Sequence, residues 1–257
     1  TDGFAQKEID WLLSIGGIEV RQNTRLGADV QLDALTREFD AVFLGLGLAG
    51  VNAIGIAEPQ ATGVRNAVEF IAELRQAPAY AKVPVGRKVV VIGGGMTAVD
   101  AAVQSRKLGA GSVTIVYRRG AAEMSASEYE QEWAQKNGVS IHHWAAPKAL
   151  LAEGGHITGI QLGCTRVEGG KLVETGEQFT LEADVVLKAI GQSFVAQPLG
   201  TALELRQGRI VTDDQGRTSH AKVWAGGDCR VGGRDLTVEA VEHGKVAALS
   251  IHEALNA

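Results

Sequence analysis

Arg87-Lys88-Val89-Val90-Val91-Ile92-Gly93-Gly94-Gly95-Met96-Thr97-Ala98-Val99-Asp100-Ala101-Ala102 passes, in one stretch, from a β-branched run through three glycines into an alanine-rich segment. The first part reads as a buried strand and the last as a helix. Strand, glycine turn and helix, in that order, are what a dinucleotide pyrophosphate needs. Gly93 permits the tight turn, and Gly95 lets the backbone approach phosphate oxygens. Small Ala98 lets the helix pack close on the strand. Gly94, Met96 and Thr97 complete the turn and open the helix, whose free N–H groups and positive dipole end face the anion. The bland alternative is a glycine-rich turn with no ligand; the strand before it and the helix after it favour the dinucleotide.

The next strand, Ser112-Val113-Thr114-Ile115-Val116, runs into Tyr117-Arg118-Arg119. At this strand end an NAD site places a carboxylate that accepts from the adenosine ribose hydroxyls. Here there are two arginines. A carboxylate repels a 2′-phosphate, whereas a guanidinium grips one through paired charge-assisted bonds. The tyrosine ring or an arginine plane is also suited to cover adenine. Set against arginines that merely solvate a strand end, the pattern favours NADPH over NADH.

Composition limits the remaining possibilities. A chain of 257 residues, 45% hydrophobic with a formal net charge of −5, is long enough for one large or two small cores. Its mildly acidic balance gives no electrostatic support to nucleic-acid binding. No apolar run is long enough to span a bilayer, and no signal peptide opens the chain. Cys164 and Cys229 are far apart and form no C-x-x-C, which fits a reducing cytoplasm. The six histidines lack metal-ligand spacing. His142 and His143 are neighbours on an expected strand and point to opposite faces. His243 reads as a surface or cap residue of the last helix. Both cysteines read as buried structural residues.

Along the chain, residues 4–15 carry a helical apolar face of Phe4, Ile9, Trp11, Leu12 and Leu13. Strands are expected at Ile18–Val20 and Ala41–Leu44, and a helix over 64–75. A helix around 126–137 and a short strand at 139–143 follow. Segments near 147–153, 156–167 and 171–182 then alternate like antiparallel strands between glycine-rich turns. A buried strand returns at Ala183–Ile190, another stands at Val223–Ala225, and a helix is expected from Thr237 to Ala254. Gly45-x-Gly47-x-x-Gly50 also follows a strand. The residues after it are broken by Gly55 and Pro59, so they read as a domain-crossing turn rather than a second pyrophosphate cradle.

Several motifs together carry a resemblance. Phe39-Asp40-Ala41-Val42-Phe43-Leu44-Gly45-Leu46-Gly47 resembles the strand and turn that leave the flavin domain of two-dinucleotide flavoproteins. Leu187-Lys188-Ala189-Ile190-Gly191-Gln192 resembles the turn that leads back, and Val223-Trp224-Ala225-Gly226-Gly227-Asp228 their second flavin motif. With Gly93–Ala98 and Tyr117–Arg119, these cover nearly the whole chain in the right order. The chain is most similar to the electron-input flavoproteins typified by the glutamate synthase small subunit and the corresponding part of dihydropyrimidine dehydrogenase.

That resemblance implies an α/β fold of two Rossmann-like, three-layer (ββα/βαβ) dinucleotide-binding domains, with an NADPH domain inserted into an incomplete FAD domain. The FAD domain takes residues 1–55 and 193–257, and the NADPH domain residues 56–192. Asp228, beside Gly227, would accept from the flavin ribitol, and Gly191 would lie at the return turn. Thr237 and Val238 would present the last helix's N-terminal N–H groups to the flavin pyrimidine edge, unless Asp228 only orders a turn and Thr237 only caps a helix. The implied cofactors are NADPH and FAD. The implied partner is an electron-accepting subunit or domain with iron–sulfur or flavin centres. The implied reaction is hydride transfer from NADPH to flavin, which would require no acid–base residue, and no catalytic side chain is singled out.

The chain departs from that pattern in four places. The family's first flavin fingerprint and its iron–sulfur cysteine region are missing, and the chain begins at Thr1 without a methionine, so a fragment is expected. Met96 replaces a polar residue, and Ser125 stands where relatives often have proline. Two rival readings remain. A disulfide reductase of the thioredoxin-reductase type needs a C-x-x-C that the chain lacks. A nucleotide-binding module would bind NADPH, lack FAD and have no turnover of its own.

Overall fold

A computed structural model describes residues 3–257, and within it Val89, Val90, Val91 and Ile92 are each 4% exposed or less. A strand covered on both faces belongs inside a sheet sandwiched between two layers. Val89 and Val91 join a helix-side core with Phe70, Val99 and Val103. Val90 and Ile92 point the other way, toward Leu150, Ile160 and Leu162. Thr1, read above as the start of a fragment, and Asp2 lie outside the described residues.

The chain divides into two units, Gly50–Ser193 and a second formed by Thr1–Ala49 with Phe194–Ala257. The second unit begins with helices α1 (Phe4–Ser14) and α2 (Leu32–Glu38) and strand β1 (Val42–Leu44). The first unit contains β2 (Gly50–Val51), β3 (Val64–Asn66), α3 (Ala67–Gln76), β4 (Lys88–Ile92), α4 (Met96–Lys107) and β5 (Ser112–Val116). It continues through α5 (Glu128–Lys136), β6 (Ser140–His142), β7 (Ala145–Glu153), β8 (His156–Glu168), β9 (Lys171–Glu182), β10 (Val185–Lys188) and β11 (Gln192–Ser193). The second unit resumes with β12 (Leu205–Arg206), β13 (Arg209–Ile210), β14 (Val223–Ala225) and α6 (Thr237–Asn256).

In the Gly50–Ser193 unit, β3-β10-β4-β5-β6 form a five-stranded sheet whose pairs are all parallel. Helices α3, α4 and α5 share the core on one face, and the antiparallel sheet β7-β8-β9 shares the core on the other. This is the expected α/β arrangement in three layers. The two ends of the unit pair with each other, β2 antiparallel to β11.

The other unit is built more sparsely. Its β1 and β14 form a two-stranded parallel sheet, with Val42 opposite Val223 and Leu44 opposite Ala225. Leu32, Leu199, Leu203, Ile210 and Cys229 complete the core around them. Trp224 is 3% exposed, and its indole N–H donates to Ser250 Oγ at 3.1 Å. A buried indole needs such a partner.

Three local expectations change. Ile18–Val20 is irregular, with Ile18 55% and Val20 59% exposed; β-branched residues alone make no strand where none lies beside them to complete the ladder. Helix α1 forms but buries none of its residues, so its apolar face is set by sequence and not by packing. Val64–Asn66 pairs with β10, so the helix expected over 64–75 starts only at Ala67. Cys229 is buried, and burial pushes its thiol pKa up, whereas Cys164 is only partly buried.

Candidate functional site

At the ends of β4 and β5 the register sets Ile92 beside Val116, which places Gly93 and Tyr117 on neighbouring strand exits. Gly93 sits at φ +145°, and a methyl group there would overlap the Ala189 carbonyl oxygen. Its N–H donates to Val116 O at 3.0 Å. Gly94 lies flat against the Tyr117 ring, where a Cβ would come 2.5 Å from Cδ2. The ring is tethered by its hydroxyl, which donates to Glu123 O at 2.7 Å. Glycine is therefore dictated at 93 by backbone and at 94 by an aromatic face.

Gly95 is the N-cap of α4 and makes no side-chain cap bond. The first N–H groups of that helix are left for a ligand or solvent. Ala98 is fully buried, so a larger residue would lift α4 off the sheet. Ala126 N–H donates to Gly94 O at 3.0 Å, fixing the turn from the side of α5. That segment is stiffened by a capping box in which Ser127 and Glu130 bond reciprocally. Met96 is 44% exposed at the mouth of the turn.

Arg118 and Arg119 are exposed, and among the described residues neither guanidinium enters an ion pair. Their backbone is held firmly. Thr165 Oγ1 donates to Arg118 O at 2.7 Å, and Trp144 N–H to Arg119 O at 3.1 Å, with Trp144 itself at φ +58°. Two cations on a fixed main chain beside an uncapped helix N-terminus suit a phosphorylated ligand. Gly191, at φ +89°, closes the return turn: Asn52 N–H donates to its carbonyl at 3.2 Å, and Asn52 Nδ2 donates to Ile190 O at 3.2 Å. Nearby on β10, Lys188 Nζ binds both oxygens of Glu58, at 2.7 and 2.8 Å.

At the amino ends of the strands of this sheet lies a cavity of about 580 Å³, lined by Arg87, Lys88, Glu182 and Asp184 among others. Asp184 is already committed there, accepting from the N–H groups of Arg87 and Lys88 at 3.0 Å each. Ligands of open α/β sheets sit beyond the carboxyl ends of the strands, which is the Gly93 side.

In the other unit the turn after β14 holds Gly227 and Asp228. Gly227 adopts φ +77°, and the Asp228 carboxylate faces the Gly45–Gly47 turn, with Oδ1 3.9 Å from where a Gly47 Cβ would be. Four contacts fix the main chain here. Gly226 N–H donates to Leu44 O at 3.2 Å. Arg209 Nη1 donates to Asp228 O at 2.7 Å and to Gly233 O at 2.8 Å. Gly227 N–H donates to His243 Nδ1 at 3.1 Å.

Helix α6 packs on this turn and presents Thr237 and Val238 at its start, Val238 being 77% exposed. Its N-cap is Leu236, without a side-chain cap bond, so Thr237 is not the cap. Glu239 instead accepts from Arg234 N–H at 3.0 Å and pairs with the Arg234 guanidinium; that contact holds its carboxyl below the usual range. His243, expected from sequence as a surface or cap residue of the last helix, is half-buried and accepts from the Gly227 N–H of the turn. Arg209 and His243 carry no sequence signal: each acts on backbone brought close only by the fold. Among the described residues no group of side chains is arranged to hold a metal ion, and no helix is long and apolar enough to cross a membrane.

The profile of the pyridine nucleotide-disulphide oxidoreductase family matches residues 3–244. The β subunit of NADP(+)-dependent formate dehydrogenase from Moorella thermoacetica is 36% identical over 93% of this chain and 35% of its own length. The small chain of glutamate synthase [NADPH] from Escherichia coli K12 is 34% identical over 90% of this chain and 54% of its own length. The chain thus spans roughly a third to a half of these relatives. Among solved structures, Mycobacterium tuberculosis FprA in complex with NADPH superposes with a TM-score of 0.72 at 17% identity, over 98% of this chain and 71% of FprA, a likeness of fold.

Proposed function

The chain belongs to the pyridine nucleotide-disulphide oxidoreductase family, and from that footing we propose that it is the nucleotide-binding core of an NADPH-dependent flavoprotein oxidoreductase. The observation that carries the reading is the pairing of the Gly93–Ala98 turn with Arg118 and Arg119. Gly93 and Gly94 have no room for a Cβ, Gly95 leaves the α4 N-terminus uncapped, and two guanidinium groups without an ion pair among the described residues stand at the adjacent strand exit. The turn and helix suit a pyrophosphate, and the arginines a 2′-phosphate. Both curated relatives carry NADP or NADPH in their names.

For FAD the fitting residues are Gly227 and Asp228 on a main chain fixed by Arg209 and His243, with Thr237 and Val238 opening α6. Bound together, NADPH and FAD would supply hydride transfer, and the chain's own task is to grip, orient and shield them. Asp228 would accept from a hydroxyl-bearing ligand, and the start of α6 would offer N–H groups to a polar ring edge. Reducing equivalents would then pass to an electron-accepting partner with iron–sulfur or flavin centres. The relatives' names, a β subunit and a small chain, support such a partner. The family's name notwithstanding, the chain has no C-x-x-C for disulfide exchange.

A second reading, an NADPH-binding module without flavin, is favoured by the two-stranded β1-β14 sheet and the exposed apolar helix α1 of the unit that joins Phe194–Ala257 to the start of the chain. The visible spectrum of the purified chain, after incubation with FAD and removal of excess, separates the two. A retained flavin band that bleaches on adding NADPH is expected. A colourless protein that still binds NADPH establishes the module, and loss of NADPH binding as well overturns both.

A further inference from the structure

His243 lies within α6, six residues beyond its first residue, and its ring meets the main chain of the turn that carries Asp228. The geometry settles which nitrogen is free. Gly227 N–H donates to Nδ1 at 3.1 Å, so Nδ1 bears no proton and the neutral ring carries its hydrogen on Nε2. Nε2 lies 3.9 Å from Glu239 Oε1. The fit around the ring is close: a Cβ on Gly226 would stand 2.9 Å from His243 Cβ and 2.8 Å from the Phe43 ring. The imidazole is therefore a wedge between α6 and the turn, and its acceptor is the only side-chain group bonded to the Gly227 amide among the described residues.

We infer that His243 is a positioning residue that holds the Gly227–Asp228 turn through the Nδ1 lone pair and releases it on protonation. The inference rests, for its consequence, on the flavin reading of that turn. An imidazolium has N–H donors at both nitrogens, so at Nδ1 a donor would then face the Gly227 donor, and the bond is replaced by repulsion. Imidazole is the side chain that exchanges a proton nearest neutral pH, so acidification is the perturbation that tests the contact.

Charged groups border the ring on both elements. On α6, Glu239 lies 3.9 Å from Nε2 and is itself bound to Arg234. On the turn stand the Asp228 carboxylate and Arg209, which is anchored to Asp228 O and Gly233 O. The Cys229 thiol stays neutral because burial pushes its pKa up. Strand β14 (Val223-Trp224-Ala225) brings no titratable group to the ring. Arg209 holds the carbonyls of the turn at any ordinary pH, so only the Gly227 amide responds to His243.

The test separates this inference from the flavin reading because its first readout needs no flavin. Amide hydrogen exchange at Gly227 is followed in the full chain between pH 8 and pH 5, beside the imidazole ¹⁵N shifts of His243. In the wild type, the Nδ1-unprotonated tautomer is expected at high pH, with protection at Gly227 falling about tenfold or more beyond the intrinsic pH dependence on acidification. His243→Asn places an amide oxygen near the Nδ1 position without a titrating group, so its protection should persist and be flat with pH. His243→Leu should be unprotected throughout, with Gly93 and Ala98 amides unchanged as a control of folding. A wild-type profile that stays flat, an Asn variant that titrates like the wild type, or an Nδ1-protonated tautomer at high pH overturns the inference. Retention of added FAD is then measured on the same proteins. If the amides behave as stated and FAD retention follows them, the consequence holds. If the amides do so while no protein binds FAD, the proton-dependent contact stands and the flavin reading falls.

Discussion

The turn at Gly93–Ala98 and the turn at Gly226–Asp228 begin alike, each a parallel strand ending in glycines that lead toward a helix, yet they rest on different foundations. The first leaves the centre of a five-stranded sheet whose residues are buried on both faces. The second leaves a two-stranded sheet, and its unit exposes Phe4 (66%), Trp11 (65%) and Val241 (68%). In the first, glycine positions are enforced by backbone and ring contacts within a dense core. In the second, the turn is held by long polar side chains, Arg209 and His243, reaching from other elements. A well-packed layer specifies a loop through steric exclusion, and a sparse one does so through individual hydrogen bonds. The two sites should therefore fail in different ways.

The sharpest probe of that difference is a matched pair of glycine substitutions, because at both Gly93 and Gly233 a methyl group would overlap a backbone carbonyl, that of Ala189 and that of Gly227 respectively. Gly93→Ala adds a strained φ to the clash and is expected to cost more than about 3 kcal/mol. It should abolish NADPH binding, measured by calorimetric titration and thermal unfolding. Gly233→Ala is expected to leave NADPH affinity within about twofold of wild type while disturbing the Asp228 turn. Equal loss of NADPH affinity in both variants would dissolve the contrast.

Next in size, Arg118→Ala should lose about 1.5–3 kcal/mol of NADPH binding while NADH binding barely changes. Parallel titrations of the two nucleotides check this, and equal losses would remove the 2′-phosphate role. A smaller effect is expected from Arg209→Met. It deletes the bonds to Asp228 O and Gly233 O and should cost about 1–2 kcal/mol. Its signature is faster amide exchange at 226–233 with unchanged exchange in β4 and β5. Acceleration in β4 as well would show that the two turns do not depend on separate supports.

The smallest effect is electrostatic. Glu239 has a carboxyl held below its ordinary value of 4.5 by hydrogen bonds from the Arg234 backbone and side chain. A depressed carboxylate pKa means stability present above the unfolded value and lost as pH falls through the folded one. The start of α6 should accordingly loosen only below the ordinary Glu range, as read by the Arg234 amide shift. Glu239→Gln should abolish that acid transition while leaving the Gly93 turn untouched.

Much of the molecule was legible in the chain because it depends on local rules. The β4–α4 turn is written in consecutive residues, as are the antiparallel segments β7, β8 and β9 between their glycine turns. The misreadings share one cause. Ile18–Val20 has the composition of a strand and no partner strand, while Val64–Asn66 looked like the start of a helix and was captured by β10. The apolar stripe of α1 marked a helix, which forms and buries none of its residues, since periodicity fixes a conformation but not what covers it. Arg209 and His243 were invisible for a related reason. Their partners are main-chain groups 24 and 16 residues away, at Gly233 and Gly227 respectively, and no side-chain pattern marks a backbone acceptor or donor.

The sequence by itself determined the α/β class, the order of strand, glycine turn and helix, and the presence of two arginines where a nucleotide-binding strand ends. Hydrophobic periodicity and the steric freedom of glycine act over a few residues, so they can be read in line. Only the tertiary structure decided that Gly94 must clear the Tyr117 ring, that Thr165 and Trp144 fix the backbone of Arg118 and Arg119, and that a histidine on the last helix holds the amide of Gly227. Those contacts join residues distant along the chain, and their energies exist only once packing has brought the groups within bonding distance.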